Sequence, residues 1–178
     1  LTASAFFVTY GMGKYNLPLA FAGVFTIIFM GSMVATNILF GYLADRFGHK
    51  CNLLLLALSA TAATLVALFA RNAIEYSAVF FFTGCTITVQ GISRMPFVAE
   101  LCGDRERPLY VAITNTLTAP TLFVGVLAGV LVKSSGYEIV FILYCVLGLL
   151  SAAWILLKVR EPRTSGIAAQ FRIPPGNP

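Results

Sequence analysis

The chain has 178 residues, of which 58% are hydrophobic and only 11% charged, with a formal net charge of +5 and a mean hydropathy of +0.87. Water-soluble domains carry about 25% charged residues, so a fully solvent-facing surface is excluded. A basic excess in so apolar a chain is a matter of membrane topology and calls for no nucleic-acid partner.

Taken in chain order, residues 1–10 form a short apolar stub, and apolar runs follow over residues 19–42, 51–70, 76–99, 109–132 and 139–158. A helix needs about 20 residues to cross hydrocarbon, so five full transmembrane helices are predicted. Ten helical residues reach about 15 Å, half a bilayer, and the chain is expected to begin inside its first helix. Strands of a membrane barrel alternate polar and apolar side chains, whereas "LLLLALSATAATLVALFA" is apolar on every side. The stub also lacks the basic start and small-residue cleavage site of a signal peptide. The expected fold class is an all-α integral membrane bundle.

Between the first two full helices lies "GYLADRFGHK", residues 41–50, a knot of charge flanked by uncharged runs. Gly41 and Gly48 are expected to let the chain turn tightly and the helix ends approach. Asp45 can accept hydrogen bonds from free backbone donors at a helix start, where the dipole favours an anion. Arg46 and Lys50 are expected at headgroup level. A plain topological loop is the alternative for the basic residues, but it leaves the acid unexplained.

This stretch resembles the signature loop of the major facilitator superfamily of secondary transporters. The family pattern is Gly, any, Leu, small, Asp, Arg, any, Gly, basic, basic. It is matched at Gly41, Leu43, Ala44, Asp45, Arg46, Gly48 and Lys50, with His49 where Arg is commoner. The resemblance covers residues 1–163. It implies one six-helix half of a transporter, built as two inverted three-helix repeats, with the other half as partner and a small-molecule substrate. The C-terminal half is the closer likeness, with "KVREPR" expected near a true chain end; the N-terminal half is the alternative. Residues 164–178, short and rich in Pro and Gly, are expected to be a disordered cytosolic tail.

In "AELCGDRERP", Glu100 and Arg107 have the spacing seen in sugar-porter-like members at the equivalent helix end. The resemblance implies a cytosolic network of Asp45, Arg46, Glu100 and Arg107 acting as a latch. Opposite charges lock helix ends together and must separate for that side to open. The alternative is a hydrated helix end. The sequence before Glu100, "VQGISRMPFVAE", lacks the Trp of the sugar branch, so no sugar is assigned.

The resemblance also implies that the first, second, fourth and fifth helices line a central cavity while the third and sixth face lipid. In the second helix, Thr36 and Asn37 are the polar candidates, for cavity or for packing. In the fourth, Thr83, Thr86, Gln90 and Arg94 recur every three or four residues and share one face. Arg94 lies six residues, about 9 Å, deeper than Glu100. It reads as a contact for an anionic or polar solute, as a snorkelling Arg, or as a partner of Glu100. Gln90 lies deeper still and needs polar partners, in a cavity or on a neighbouring helix. In the fifth helix, Thr114, Thr118 and Thr121 share a face beside Asn115, Pro120 is expected to kink the helix, and Gly125 with Gly129 suggests close packing.

No Asp or Glu lies at mid-membrane in these segments, so any coupling acid is expected elsewhere in the full protein. Cys51, Cys85, Cys102 and Cys145 fall in separate segments, and the lone His49 sits among basic residues, so neither a metal site nor any cofactor is implied. With the knot in the cytosol, its side holds Arg46, Lys50, Arg94, Arg105, Arg107, Lys158, Arg160, Arg163 and Arg172, against Lys14, Arg71 and Lys133 opposite. The expected placement is multi-pass in the plasma (cell inner) membrane with knot and C-terminus cytosolic. Three functions were weighed. Transport by alternating access leads, a non-transporting sensor or assembly protein of the same fold is the alternative, and an intramembrane enzyme is disfavoured because no nucleophile with its base is present.

Overall fold

The computed structural model describes residues 2–100 and 106–159. The tail 164–178 and Cys102 lie outside the described residues. All described regular structure is helical: α1 (Thr2–Lys14), α2 (Ala20–Phe47), α3 (His49–Phe69), α4 (Ala73–Glu100), α5 (Arg107–Thr118), a 3-10 turn (Ala119–Thr121), α6 (Leu122–Ser135) and α7 (Tyr137–Lys158). Helices fit such a chain because each backbone donor and acceptor is satisfied within its own segment.

The expected fourth full helix, residues 109–132, is interrupted. Pro120 sits in the 3-10 turn that separates α5 from α6, as its missing N–H requires. Four helical stretches are long and apolar enough to cross a membrane: α2, α3, residues 107–135 and α7. α4, also expected to span, has the length at 28 residues but is not among the four. Thr83, Thr86, Thr88, Gln90, Ser93 and Arg94 lower its hydropathy.

The knot differs from the expected loop. Asp45 and Arg46 belong to the last turn of α2, and His49 already begins α3. Gly41 makes no turn: it lies within α2, with open space where a Cβ would project. The reversal rests on Gly48 alone, at φ 84° and ψ 168°, a region that is essentially glycine-only. Gly136 joins α6 to α7 with nearly the same angles, φ 84° and ψ 170°. A single glycine thus follows the second helix of each three-helix unit, at opposite ends of the bundle, as inverted repeats require.

α3 packs against α4, α7 and α2. Of the four apolar spans it has the largest buried share, 33%. It keeps exposed only a stripe of large side chains, Leu58, Leu65 and Phe69. The reason is its place at the back of the half-bundle, sandwiched between neighbours. At the end away from the knot, Phe7, Phe25, Tyr76, Phe80 and Phe141 form an aromatic core. There the Tyr76 hydroxyl donates to the Phe7 carbonyl at 2.7 Å, tying α4 to α1. Close crossing of α2 and α4 depends on Gly84, where an added Cβ would meet the Phe29 carbonyl at 2.7 Å as well as the Ser32 hydroxyl. Gly129 is not such a crossing point, since its Cβ position meets nothing within 4 Å.

Candidate functional site: the front of α2 and α4

Two grooves open on the side of the α2–α4 pair that faces away from α3. The first, about 210 Å³, is lined by Val8 of α1, Phe25, Thr26 and Phe29 of α2, and Phe80, Thr83 and Ile87 of α4. The second, about 380 Å³, is lined by Met33, Val34 and Asn37 of α2, and Ile87, Thr88, Gly91 and Ile92 of α4. Neither takes a lining residue from α3 or α7. Of the expected polar face of α4, Thr83 lines the first groove, while Thr86, Gln90 and Arg94 line neither.

Arg94 continues this face toward the knot. Its guanidinium is half-buried and donates from Nη2 to the Thr118 hydroxyl at 2.8 Å. Thr118 in turn donates to the Thr114 carbonyl at 2.8 Å, one turn back in α5. Two residues from different predicted helices are thus brought together, and the bond spans α4 and the end of α5 just before the Pro120 break. Thr86 and Gln90 are half-buried on α4, with the Thr86 hydroxyl donating to the Phe82 carbonyl at 2.9 Å. Asn115 is exposed on α5, and Asn37 is exposed at the second groove.

Two candidates behave differently. Thr36 is buried in the α2–α4 seam, donating to the Ser32 carbonyl at 2.6 Å and lying 3.4 Å from the Thr88 hydroxyl. Packing, the alternative for Thr36, is what the geometry shows. Thr83 is also largely buried, but it reaches the first groove while donating to the Val79 carbonyl at 2.7 Å.

At the knot end, Asp45 is exposed on the final turn of α2. Arg46 turns back along its own helix, donating from Nη1 to the Tyr42 hydroxyl at 2.7 Å and stacking over Phe47 at 5.6 Å. Lys50 donates to the Leu156 carbonyl at 3.5 Å, so it serves the C-terminal end of α7, where free carbonyls favour a cation. Glu100 closes α4 and Arg107 opens α5. The Glu100 side chain lies outside the described residues.

Sequence reasoning missed the apolar walls. Ile87 falls on the Thr83–Arg94 face by spacing, but a search for polar side chains passes over it. Asn52 was also missed. Fully buried in α3, it donates to the Phe40 carbonyl and to the Ser93 hydroxyl, each at 2.9 Å, fastening α2 and α4 together from behind. Polarity in an otherwise apolar run was its only signal. Among the described residues no group of His, Cys, Asp and Glu is placed to hold a metal.

Comparison with known proteins agrees with this architecture. The chain is 27% identical over 142 residues to solute carrier family 22 member 7 of Bos taurus, covering 79% of this chain and 26% of that protein. The chain therefore spans about a quarter of that relative's length. No solved structure matches it. The Major Facilitator Superfamily profile matches residues 1–175, and with that match the chain belongs to the Major Facilitator Superfamily.

Proposed function

We propose that this chain is one half of a carrier that moves a small solute across the plasma membrane by alternating access, rather than an enzyme. Residues 1–163 act as the six-helix half, and a second half completes the path. The front of α1, α2, α4 and α5 lines it. The observation that carries the reading is Arg94. A charge near mid-membrane costs about 2.5–3.5 kcal/mol on insertion scales unless it faces water, a partner or a solute. Arg94 donates to the neutral Thr118 at the front of α4, and on this reading its charge serves an anionic or strongly polar solute group. The relative's designation as a solute carrier agrees with this reading.

Asp45, Arg46, Glu100 and Arg107 form the latch of this carrier. All four stand at helix ends on the knot side, which the excess of Lys and Arg makes cytosolic. Charge pairs there hold the inward face closed and separate when it opens.

The test is solute counterflow with the full-length protein in vesicles, using panels of anionic, neutral and cationic solutes. The parent is expected to show a charge preference that Arg94→Gln changes at least tenfold. Asp45→Asn is expected to lose turnover with its fold retained. An unchanged preference in Arg94→Gln removes Arg94 from the path. Parental turnover in Asp45→Asn removes the latch.

A further inference from the structure

Thr83, Ile87 and Gly91 stand one turn apart on α4, and the two grooves meet there. Ile87 lines both grooves, and among the described residues no other side chain does. Its side chain is half-buried and branched at Cβ, so one χ1 rotamer dominates in a helix. From Phe80 to Ile92 the grooves extend about 18 Å along the helix. Ligand pockets run to about 300–1,000 Å³. The first groove, at about 210 Å³, falls below that range, and the second, at about 380 Å³, only enters it.

The walls also have a defined polarity. Thr26 donates to the Ala22 carbonyl at 2.8 Å, Thr83 to Val79 at 2.7 Å and Thr88 to Gly84 at 2.9 Å. Thr26 and Thr83, which line the first groove, commit their hydroxyl hydrogens to their own helices and so can only accept from a bound group, whereas Thr88 is engaged in the α2–α4 seam, where Thr36 donates to it at 3.4 Å. A stacked pair, Phe25 and Phe80, with centroids 4.3 Å apart and planes 12° apart, provides an apolar wall.

On the carrier reading given above, we infer that Ile87 is the constriction between two chambers of the solute path, and that its solute carries O–H or N–H donors on an apolar body. Gly91 widens the chamber nearer the knot, since a Cβ there would meet nothing within 4 Å.

The experiment uses full-length protein freed of its native cysteines, reconstituted in vesicles, with Thr83→Cys or Gly91→Cys as a reporter in each chamber. The probe is 2-sulfonatoethyl methanethiosulfonate, a membrane-impermeant thiol reagent, added on the knot side. Ile87→Ala is expected to raise the labelling rate of Thr83→Cys at least threefold. In a Thr83→Cys protein with Ile87 intact, Gly91→Leu, which adds a side chain in open space, is expected to lower that rate at least threefold. The second variant decides the matter if the first does not yield monodisperse protein. Smaller changes overturn the constriction. Failure of both reporters to react from either side overturns the carrier path itself, a separate result. For the solute class, O-methylation of a transported hydroxyl compound should lower its counterflow at least threefold. Equal counterflow, or transport confined to compounds without donors, overturns that part.

Discussion

Asn52 shows how a single polar side chain is used where water is absent. Its amide nitrogen bridges α2 and α4 through Phe40 and Ser93, while its carbonyl oxygen is buried with no hydrogen-bond partner among the described residues. Interhelical hydrogen bonds in membrane proteins average about 0.6 kcal/mol and reach about 1.7 kcal/mol. With two bonds at once, Asn52→Ala is expected to lower unfolding stability in detergent by about 1–2 kcal/mol, and Ser93→Ala by less, since the Phe40 bond remains. Calorimetry or a denaturant titration checks this, and a change within about 0.3 kcal/mol for Asn52→Ala would show that the bridge carries no stability. Arg94 could be singled out from the sequence because an Arg so far from a helix end is unusual. Its partner could not, because four threonines, at 114, 116, 118 and 121, all lay within reach of the argument.

Among the helices, the sequence is most legible where one residue dictates the backbone. Pro120 announces the break between α5 and α6, and Pro108 the start of α5. Asn72 and Glu75 cap α4 reciprocally: the Glu75 N–H donates to Asn72 Oδ1, and Asn72 Nδ2 to Glu75 Oε1, each at 2.8 Å. Glycine is harder to read, since the same residue makes a turn at position 48 and fills an ordinary helical place at 41. The structure separates these roles. Gly48→Ala and Gly136→Ala each force an L-residue into a glycine-only region and are expected to destabilise by about 1–3 kcal/mol. Gly41→Ala and Gly129→Ala, helical and facing open space, are expected to be neutral or stabilising by up to about 1 kcal/mol. Thermal unfolding of the four variants in one detergent decides it. Equal effects across the set would contradict the assignment of Gly48 and Gly136 as the two reversals.

For the whole molecule, the all-helical membrane class follows from the lengths of the apolar runs, because hydrocarbon thickness sets helix length directly. The helix count does not, since five full spans were expected and four stretches are long and apolar enough to cross. Which helix lies inside is set by packing, which apolar runs do not reveal. α3 is as greasy as α2, yet among the four apolar spans it has the largest buried share, and the more polar α4 buries Tyr76, Val79, Phe80, Thr83, Cys85, Thr88, Val89 and Ser93. On α4, polar spacing singled out Thr83, which lines a groove, but not Ile87 and Gly91 beside it. On α2 spacing left cavity and packing open for two adjacent residues: Thr36 packs and Asn37 lines the groove. The account stands on a water-filled front formed by α2, α4 and α5 and a lipid-covered back formed by α3 and α7. Single cysteines in the cysteine-free full-length protein, read with an impermeant thiol reagent in intact vesicles, test it most directly. Cysteines replacing Asn37, Gln90 and Asn115 are expected to react, and those replacing Leu58, Leu149 and Trp154 to stay silent. Reactive back positions with a silent front would contradict the account.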